Sequence, residues 1–325
     1  MKYLTTLLNN CHYDIYFLVV DKKLDIDLPE LKYFYKIYLP DGETKNSGHL
    51  LSLKSTQDFI KQNSAKNNHL PAILPFKPSA KIDKICEKNA WLCLGNTAKL
   101  NRFLEDKVKF YQFCKQEKLP VIPSNIDTFT RENFEKYSKG SEIVVQSHFG
   151  WAGNSTFSAK NYDEIKDKIG ENSIVKFSPF IKGTTYINNC CLTRSGLLQS
   201  PLAVQINDNF ATIGRSWPSN LPEEQIALTG QLTNLFASSL SKLNYRGYFG
   251  LDFLINKDNI YILECNPRFT ASFAFYHFLE TQNKINSLIY YHLLEFLDID
   301  YEINVEIEQK RIIAPIKGTH LKKDS

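Results

Sequence analysis

Three oxygen-bearing side chains, Asp252, Glu264 and Asn266, interrupt the otherwise apolar stretch Tyr245 to Ser272, YRGYFGLDFLINKDNIYILECNPRFTAS. Such groups inside core-like sequence cost free energy unless something pairs with them. Oxygen donors of this kind suit a hard cation; Mg2+ takes only a few carboxylates and completes its shell with water and substrate phosphates. Pro267 ends the run and Arg268 follows at once, which sets a fixed cation beside the metal, where developing phosphate charge is neutralised.

The elements that must position these groups are two strands of alternating apolar residues, Tyr248 to Ile255 and Ile260 to Cys265, joined by a polar turn at Lys257, Asp258 and Asn259. Glu264 and Asn266 are two apart on one strand and face the same way. Asp252 joins that face only if an odd number of residues closes the hairpin, for example three, which sets it opposite Glu264. A two-residue loop pairs it with Cys265 and turns it away.

The segment G-x-D-F followed by E-x-N-P-R resembles the metal-binding end of the ATP-grasp superfamily, which includes biotin carboxylase, D-alanine:D-alanine ligase and many amino acid and peptide ligases. The resemblance implies that Asp252, Glu264 and Asn266 hold Mg2+ (or Mn2+) between the phosphates of ATP, and that Arg268 contacts the phosphates or an acyl-phosphate intermediate. Lys107, in EDKVKFYQF, resembles the family's D-K-x-x-[FT] step, whose lysine reaches an ATP phosphate. Leu119 to Pro123, LPVIP, resembles the entry to the nucleotide-binding subdomain. The loop SHFGWAGNST, Ser147 to Thr156, carries Gly150 and Gly153, and its backbone N–H groups could close over phosphates. In the family it is a mobile lid, and Trp151 would shield the site from water.

The chain also departs from the family. Gln146 stands where a lysine usually contacts the α-phosphate and adenine; glutamine donates a hydrogen bond but brings no charge. Either a neighbouring cation, His148 or Lys176, compensates, or nucleotide binding is weakened. Asn172 to Ile181, NSIVKFSPFI, resembles the strand and hinge over the adenine, which makes Lys176, Phe180 and Ile181 candidate nucleotide contacts. Thr185 stands where a ribose-holding acid is common, and Ser178 or Pro179 where the hinge often has Glu. Arg215 ends a strand and could clamp a substrate carboxylate bidentately. Thr270 and Ser272 are further candidate substrate contacts, and His277, on an aromatic-rich helix, reads as a packed or interfacial histidine.

At 325 residues and 43% hydrophobic content the chain can bury two or three compact cores. A net charge of +4 is too slight to indicate nucleic acid or a membrane surface. Seven cysteines without C-x-x-C spacing read as free thiols in a reducing compartment, with Cys190 and Cys191 on opposite faces of a core strand. No apolar run reaches membrane-span length, and Asn9, Asn10, His12 and Asp14 break up any signal-peptide core. The expected location is the cytoplasm.

Strands and helices alternate from the N-terminus, which predicts a small parallel sheet with packed helices. A helical run from Thr97 to Lys118 is expected to break around Leu104 to Asp106. The expectation is an α/β (α+β ATP-grasp) chain: an N-terminal α/β domain over residues 1–90, an ATP-grasp domain over 91–300 built on a mainly antiparallel sheet, with its lid subdomain at about 120–182, and C-terminal edge strands and a tail over 301–325. The function implied is a ligase that activates a carboxylate as an acyl phosphate and couples it to an amine, releasing ADP and phosphate. The alternatives are a non-catalytic nucleotide-binding regulator and a carboxylase-like member. Small-molecule carboxylate and amine are the expected partners, and a homodimer is the default assembly.

Overall fold

The structure is a computed structural model that describes residues 2–43, 46–150, 154–257, 259–313 and 316–321. The chain opens with α1 (Lys2–Asn9), β1 (Tyr13–Val19), β2 (Phe34–Tyr38), α2 (Ser47–Ser52), α3 (Lys54–Asn67), β3 (Leu70–Pro75), α4 (Ala80–Asn89) and β4 (Leu92–Cys93). The strands form a parallel sheet in the order β2-β1-β3-β4. β1 is buried on both faces, as a sheet covered by helices on both sides requires. α2 and α3 are separate helices because Leu53 adopts an extended backbone between them.

The middle of the chain holds α5 (Ala98–Glu105), α6 (Lys107–Gln116), β5 (Asn125–Thr128), α7 (Arg131–Ser138), β6 (Ile143–Ser147), β7 (Thr156–Ala159) and β8 (Ile174–Pro179). The helical run breaks at Asp106, whose carboxylate caps α6 by accepting from Val108 N and Lys109 N, both at 3.1 Å. Strands β5-β8-β6-β7 form a small antiparallel sheet over its own aromatic core, Phe129, Phe134, Tyr162 and Phe177.

The largest sheet uses β9 (Thr184–Thr193), β10 (Gly196–Gln199), β11 (Ala203–Asp208) and β12 (Ala211–Trp217); after α8 (Glu223–Ser241) it continues with β13 (Gly247–Ile255) and β14 (Ile260–Asn266). Next come α9 (Phe273–Gln282), α10 (Leu288–Phe296), α11 (Val305–Ile312) and β15 (Gly318–Leu321). Its antiparallel order is β14-β13-β9-β11-β12-β15, with β10 also paired to β9. One face buries Cys190, Phe249, Leu251 and Phe253 against α6 and α8; the other buries Ile187, Cys191 and Tyr248 against α9 and α10. Cys190 and Cys191 thus enter different cores, as strand alternation dictates.

The C-terminal segment corrects the expectation of edge strands from residue 301 onward. VEIEQKRI forms α11, whose start is capped by Asn304 accepting from Ile307 N at 3.0 Å. Alternation in VEIE fits a strand, but Glu308 and Ile312 are four apart and both buried, which is helix spacing. Only β15, on the edge beside β12, is a strand among the described residues there.

Candidate active site

The metal-binding candidates sit together on the β13–β14 hairpin, and loop parity alone does not bring them there. Ile255 pairs with Ile260, so four residues, an even number, close the hairpin. A register shift between Asp252 and Phe253 then leaves Leu263 as an extra residue, and Asp252 pairs with Glu264. A β-bulge therefore supplies the odd residue that brings the two carboxylates to one face. Asn266 Nδ2 and Gln205 Nε2 each donate to one oxygen of Asp252, at 3.1 and 3.2 Å. Among the described residues no group of three or more His, Cys, Asp or Glu forms a metal cluster. The donor set is two carboxylates and an amide, which is the usual protein share of a Mg2+ shell that substrate phosphates complete.

Burial and the neighbouring Glu264 charge push the Asp252 carboxyl well above the usual carboxylate range. Burial also acts on Glu264, but the Lys107 ammonium, 2.8 Å from its Oε2, outweighs it and holds Glu264 low. Like charges facing one another in a partly dry cleft favour a proton or a cation between them. Lys107 is the first residue of α6, where the helix dipole disfavours a cation. Burial would lower its pKa, yet Glu264 raises it, so the ammonium stays charged.

Behind Lys107 lies a polar frame that the sequence reading missed. Asp106 caps α6 and accepts from His148 Nδ1 at 2.9 Å, while Lys107 N donates to His148 O at 2.9 Å; both tie the strand-end after β6 to the helix. Glu105 bridges two cations, Arg268 Nε at 2.8 Å and Lys77 Nζ at 2.6 Å. Arg268 also donates to Asn266 Oδ1 at 3.1 Å, so it is locked beside the hairpin face. The adjacency of Asp106 to Lys107 could have signalled the cap; nothing local marked Glu105.

The small sheet sets Gln146 beside one of the two candidate cations. Gln146 and Lys176 are direct register partners on β6 and β8, so their side chains share a face, and both line the cleft. Gln146 Nε2 donates to Thr156 Oγ1 at 3.0 Å. Lys176 Nζ makes no ion pair with a described residue and lies 5.7 Å from the centroid of the Tyr111 ring. Burial and the Lys107 charge push it down to about 8. His148, the other candidate cation, faces Asp106 instead. The missing lysine charge is thus present one strand over.

Gly150 lines the cleft, and a Cβ there would meet Ser155 Oγ at 2.0 Å, so only glycine permits this close loop return. Trp151 and Gly153 lie outside the described residues. Phe180 and Ile181 line the cleft; Phe180 N already donates to Glu142 O at 3.2 Å. Thr185 accepts from Asn207 Nδ2 at 2.6 Å. Arg215 and Thr270 line the same cleft, of about 1210 Å³. Ser272 does not. It is fully buried behind Thr270, within hydrogen-bond distance of its hydroxyl, because the chain turns into α9 there. His277 has both ring nitrogens engaged, by Ser287 Oγ and Asp27 O at 2.9 Å each, and is a packing residue.

The cleft thus brings Lys107, Gln146, Gly150, Lys176, Phe180, Ile181, Arg215, Asp252, Glu264, Asn266, Arg268 and Thr270 to one surface. Residues 104–272 match the family model of the ATP-grasp domain. The chain belongs to the ATP-grasp family. Every residue of that set falls inside the matched segment. The chain is 24% identical over 186 residues to the carbamoyl phosphate synthase arginine-specific large chain of Halalkalibacterium halodurans, covering 54% of this chain and 17% of that one. It is 26% identical over 141 residues to the coenzyme gamma-F420-2:alpha-L-glutamate ligase of Methanocaldococcus jannaschii, covering 41% of this chain and 46% of that one. The chain therefore spans less than half the length of either relative.

Solved structures share the ATP-grasp fold across nearly the whole chain. Carboxyaminoimidazole ribonucleotide synthase from Aspergillus clavatus, complexed with ATP, superposes with a TM-score of 0.68 at 11% identity, covering 95% of this chain and 82% of that one. The biotin carboxylase domain of 2-oxoglutarate carboxylase from Hydrogenobacter thermophilus, solved as a dimer with MgADP, ADP and bicarbonate, gives 0.66 at 14% identity, covering 94% and 73%. Among the described residues no helix is long and apolar enough to cross a membrane.

Proposed function

We propose that this protein is an ATP-dependent ligase that activates a carboxylate as an acyl phosphate and couples it to an amine, with ATP and Mg2+ as its nucleotide and metal. In this reading residues 1–90 form a pre-ATP-grasp domain, and 91–300 the ATP-grasp domain with its lid at about 120–182. The observation that carries it is the pairing of Asp252 with Glu264 across a bulged hairpin, with Lys107 2.8 Å from Glu264 in the same cleft. Asp252, Glu264 and Asn266 would hold the metal, which when bound supplies charge neutralisation along the phosphates. Lys107 and Lys176 bind phosphate oxygens; Arg268, oriented by Glu105 and Asn266, steadies the reacting carboxylate.

The chemistry needs no protein nucleophile. A substrate carboxylate oxygen attacks the terminal phosphorus and ADP leaves; the amine then attacks the acyl carbon and phosphate leaves, the amine proton passing to solvent. The residues contribute position and preorganised charge. Gly150, Asn154 and Ser155 line the cleft, and in this reading their segment limits hydrolysis of the intermediate. A protein that bound no anion in this cleft would keep Lys176 and Arg215 as buried cations with no carboxylate partner among the described residues, an expensive arrangement to retain. Calorimetry of ATP with and without Mg2+, on wild type and Glu264→Ala, tests the reading. Mg-dependent binding that the variant loses supports it; wild type that binds no nucleotide overturns it.

A further inference from the structure

Arg215 stands at the centre of a row across the large sheet: Gln205 of β11 and His320 of β15 are its direct register partners on either side. Opposed residues share a face, and Gln205 and Arg215 both line the cleft. Gln205 is committed, donating to Asp252 Oδ1 at 3.2 Å. Asp252, whose other oxygen is taken by Asn266, is the acid whose charge acts most on Arg215, yet no ion pair links the two. The Arg215 guanidinium makes no hydrogen bond or ion pair with any described residue, and its Nε is sealed from solvent. His320 Nδ1 is likewise buried without a partner, with the ring stacked on Phe275 at 5.2 Å. Gly214 lets β15 approach this closely, since a Cβ there would meet His320 O at 2.8 Å.

Arg268 is the second arginine near Asp252, and its guanidinium already donates to Glu105 Oε1, Asn266 Oδ1 and Phe269 O. The two arginines are therefore not equivalent. One is fixed next to the hairpin; the other presents a full set of donors with no protein acceptor, which is the configuration that a bidentate oxyanion completes. β15 lies beyond the matched segment 104–272, so the strand that backs Arg215 on this side is the chain's own C-terminal strand.

We propose that Arg215, flanked by His320, recognises an anionic oxygen group of the substrate that is not the carboxylate being activated, so that the substrate class is a dianion: a dicarboxylate or a carboxylate bearing a phosphate-like group. The inference rests on the ligase reading for the first carboxylate, and on Arg215 and His320 alone for the second group. Arg268 meets the group that reacts, and Arg215 meets the group that is kept.

The test is calorimetry on the full chain with saturating MgADP, comparing succinate and glutarate with butyrate and valerate, and adding 3-phosphonopropionate. Wild type, Arg215→Met, Arg215→Lys and His320→Ala are each checked for folding by circular dichroism melting. The expected result is at least tenfold tighter binding of a dianion than of the matching monoacid. That preference falls to within twofold in Arg215→Met, and partly in Arg215→Lys and His320→Ala. Whether the diacids or the phosphonate is preferred identifies the kept group. Equal binding of mono- and dianions by wild type, no binding of any dianion at 10-fold molar excess over the nucleotide, or a preference that survives Arg215→Met overturns the proposal. Wild type that binds MgADP without preferring dianions refutes this inference and spares the ligase reading; Arg215-dependent dianion binding without any MgADP binding does the reverse.

Discussion

Lys176 offers a sharp test because one substitution should move two observables in opposite directions. Its ammonium is buried, repelled by Lys107, and paired with no carboxylate among the described residues; the result is a drop from 10.5 to about 8. At about 1.36 kcal/mol per unit, keeping the group charged near neutrality costs the folded state roughly 3 kcal/mol. Lys176→Met keeps the length of the side chain and removes the charge, so the ligand-free variant should be more stable than wild type at pH 7, with a melting temperature several degrees higher. The sign with pH is fixed. The folded-state pKa lies below the unfolded one, so between about pH 8 and 10.5 the unfolded chain binds more protons, and wild-type stability rises through that window. The advantage of the variant is therefore full below pH 8 and vanishes toward pH 10.5.

Nucleotide affinity should move the other way. A charge-assisted hydrogen bond contributes about 1.5–3 kcal/mol, so Lys176→Met should bind MgADP roughly 10- to 150-fold more weakly by calorimetry. The double variant Gln146→Lys with Lys176→Gln, which returns the cation to the opposite strand on the same face, should recover part of the loss, because the two positions are register partners. A Lys176→Met protein no more stable than wild type at pH 7, or one that binds MgADP equally well, would refute the assignment of Lys176 as the displaced phosphate cation.

Glu105→Gln removes the shared partner of Arg268 and Lys77 and leaves two cations facing one another; urea unfolding should show a loss of about 1–3 kcal/mol, largest at low salt. Asp106→Ala deletes the cap of α6 together with the His148 tie; it should cost about 1–2 kcal/mol in the same assay. Lys107→Met leaves Glu264 beside Asp252 without its cation; because the Glu264 side chain is 39% exposed, the loss should fall short of a fully buried pair, at about 1–3 kcal/mol. Because a bound divalent cation replaces that charge, millimolar Mg2+ should raise the melting temperature of Lys107→Met more than that of wild type.

The hairpin proposed to hold the metal was legible in the sequence because its signal is local: the alternation of Tyr248 to Ile255 and the two-residue step from Glu264 to Asn266 define a face without tertiary information. What could not be read was how Asp252 reaches that face, since a bulge at Leu263 leaves no mark in the residue types around it. The break at Asp106 was readable for the opposite reason, as a capping side chain at a helix start is itself a local signal. Glu105, Gln205 and His320 were invisible. Each acts through a partner more than 40 residues away or on an edge strand whose sequence alternates no better than the helix before it, and Ser272 was misplaced because nothing local tells an exposed loop hydroxyl from one turned under the start of α9.

Charge shows the same division between local and global information. The chain carries 39 lysines and arginines against 35 acids, an excess too small to identify a partner when spread over a surface. It is not spread. The residues lining the cleft include eight lysines and arginines and four acids, which leaves 31 of each sign on the rest of the molecule. The whole net charge of the protein is accounted for by one cavity, where low-dielectric walls focus the field and raise the local concentration of anions. A polyphosphate bound with its metal carries far less net charge than the phosphates alone, so it offsets only part of that excess. The remainder lies with Arg215 and with Lys99 and Arg102, which line the cleft without an ion pair to a described residue, and under the proposed function the anionic substrate neutralises it. Binding of the anionic substrate should therefore weaken more steeply with salt than binding of MgADP, and equal salt slopes would contradict that division of the cleft's charge.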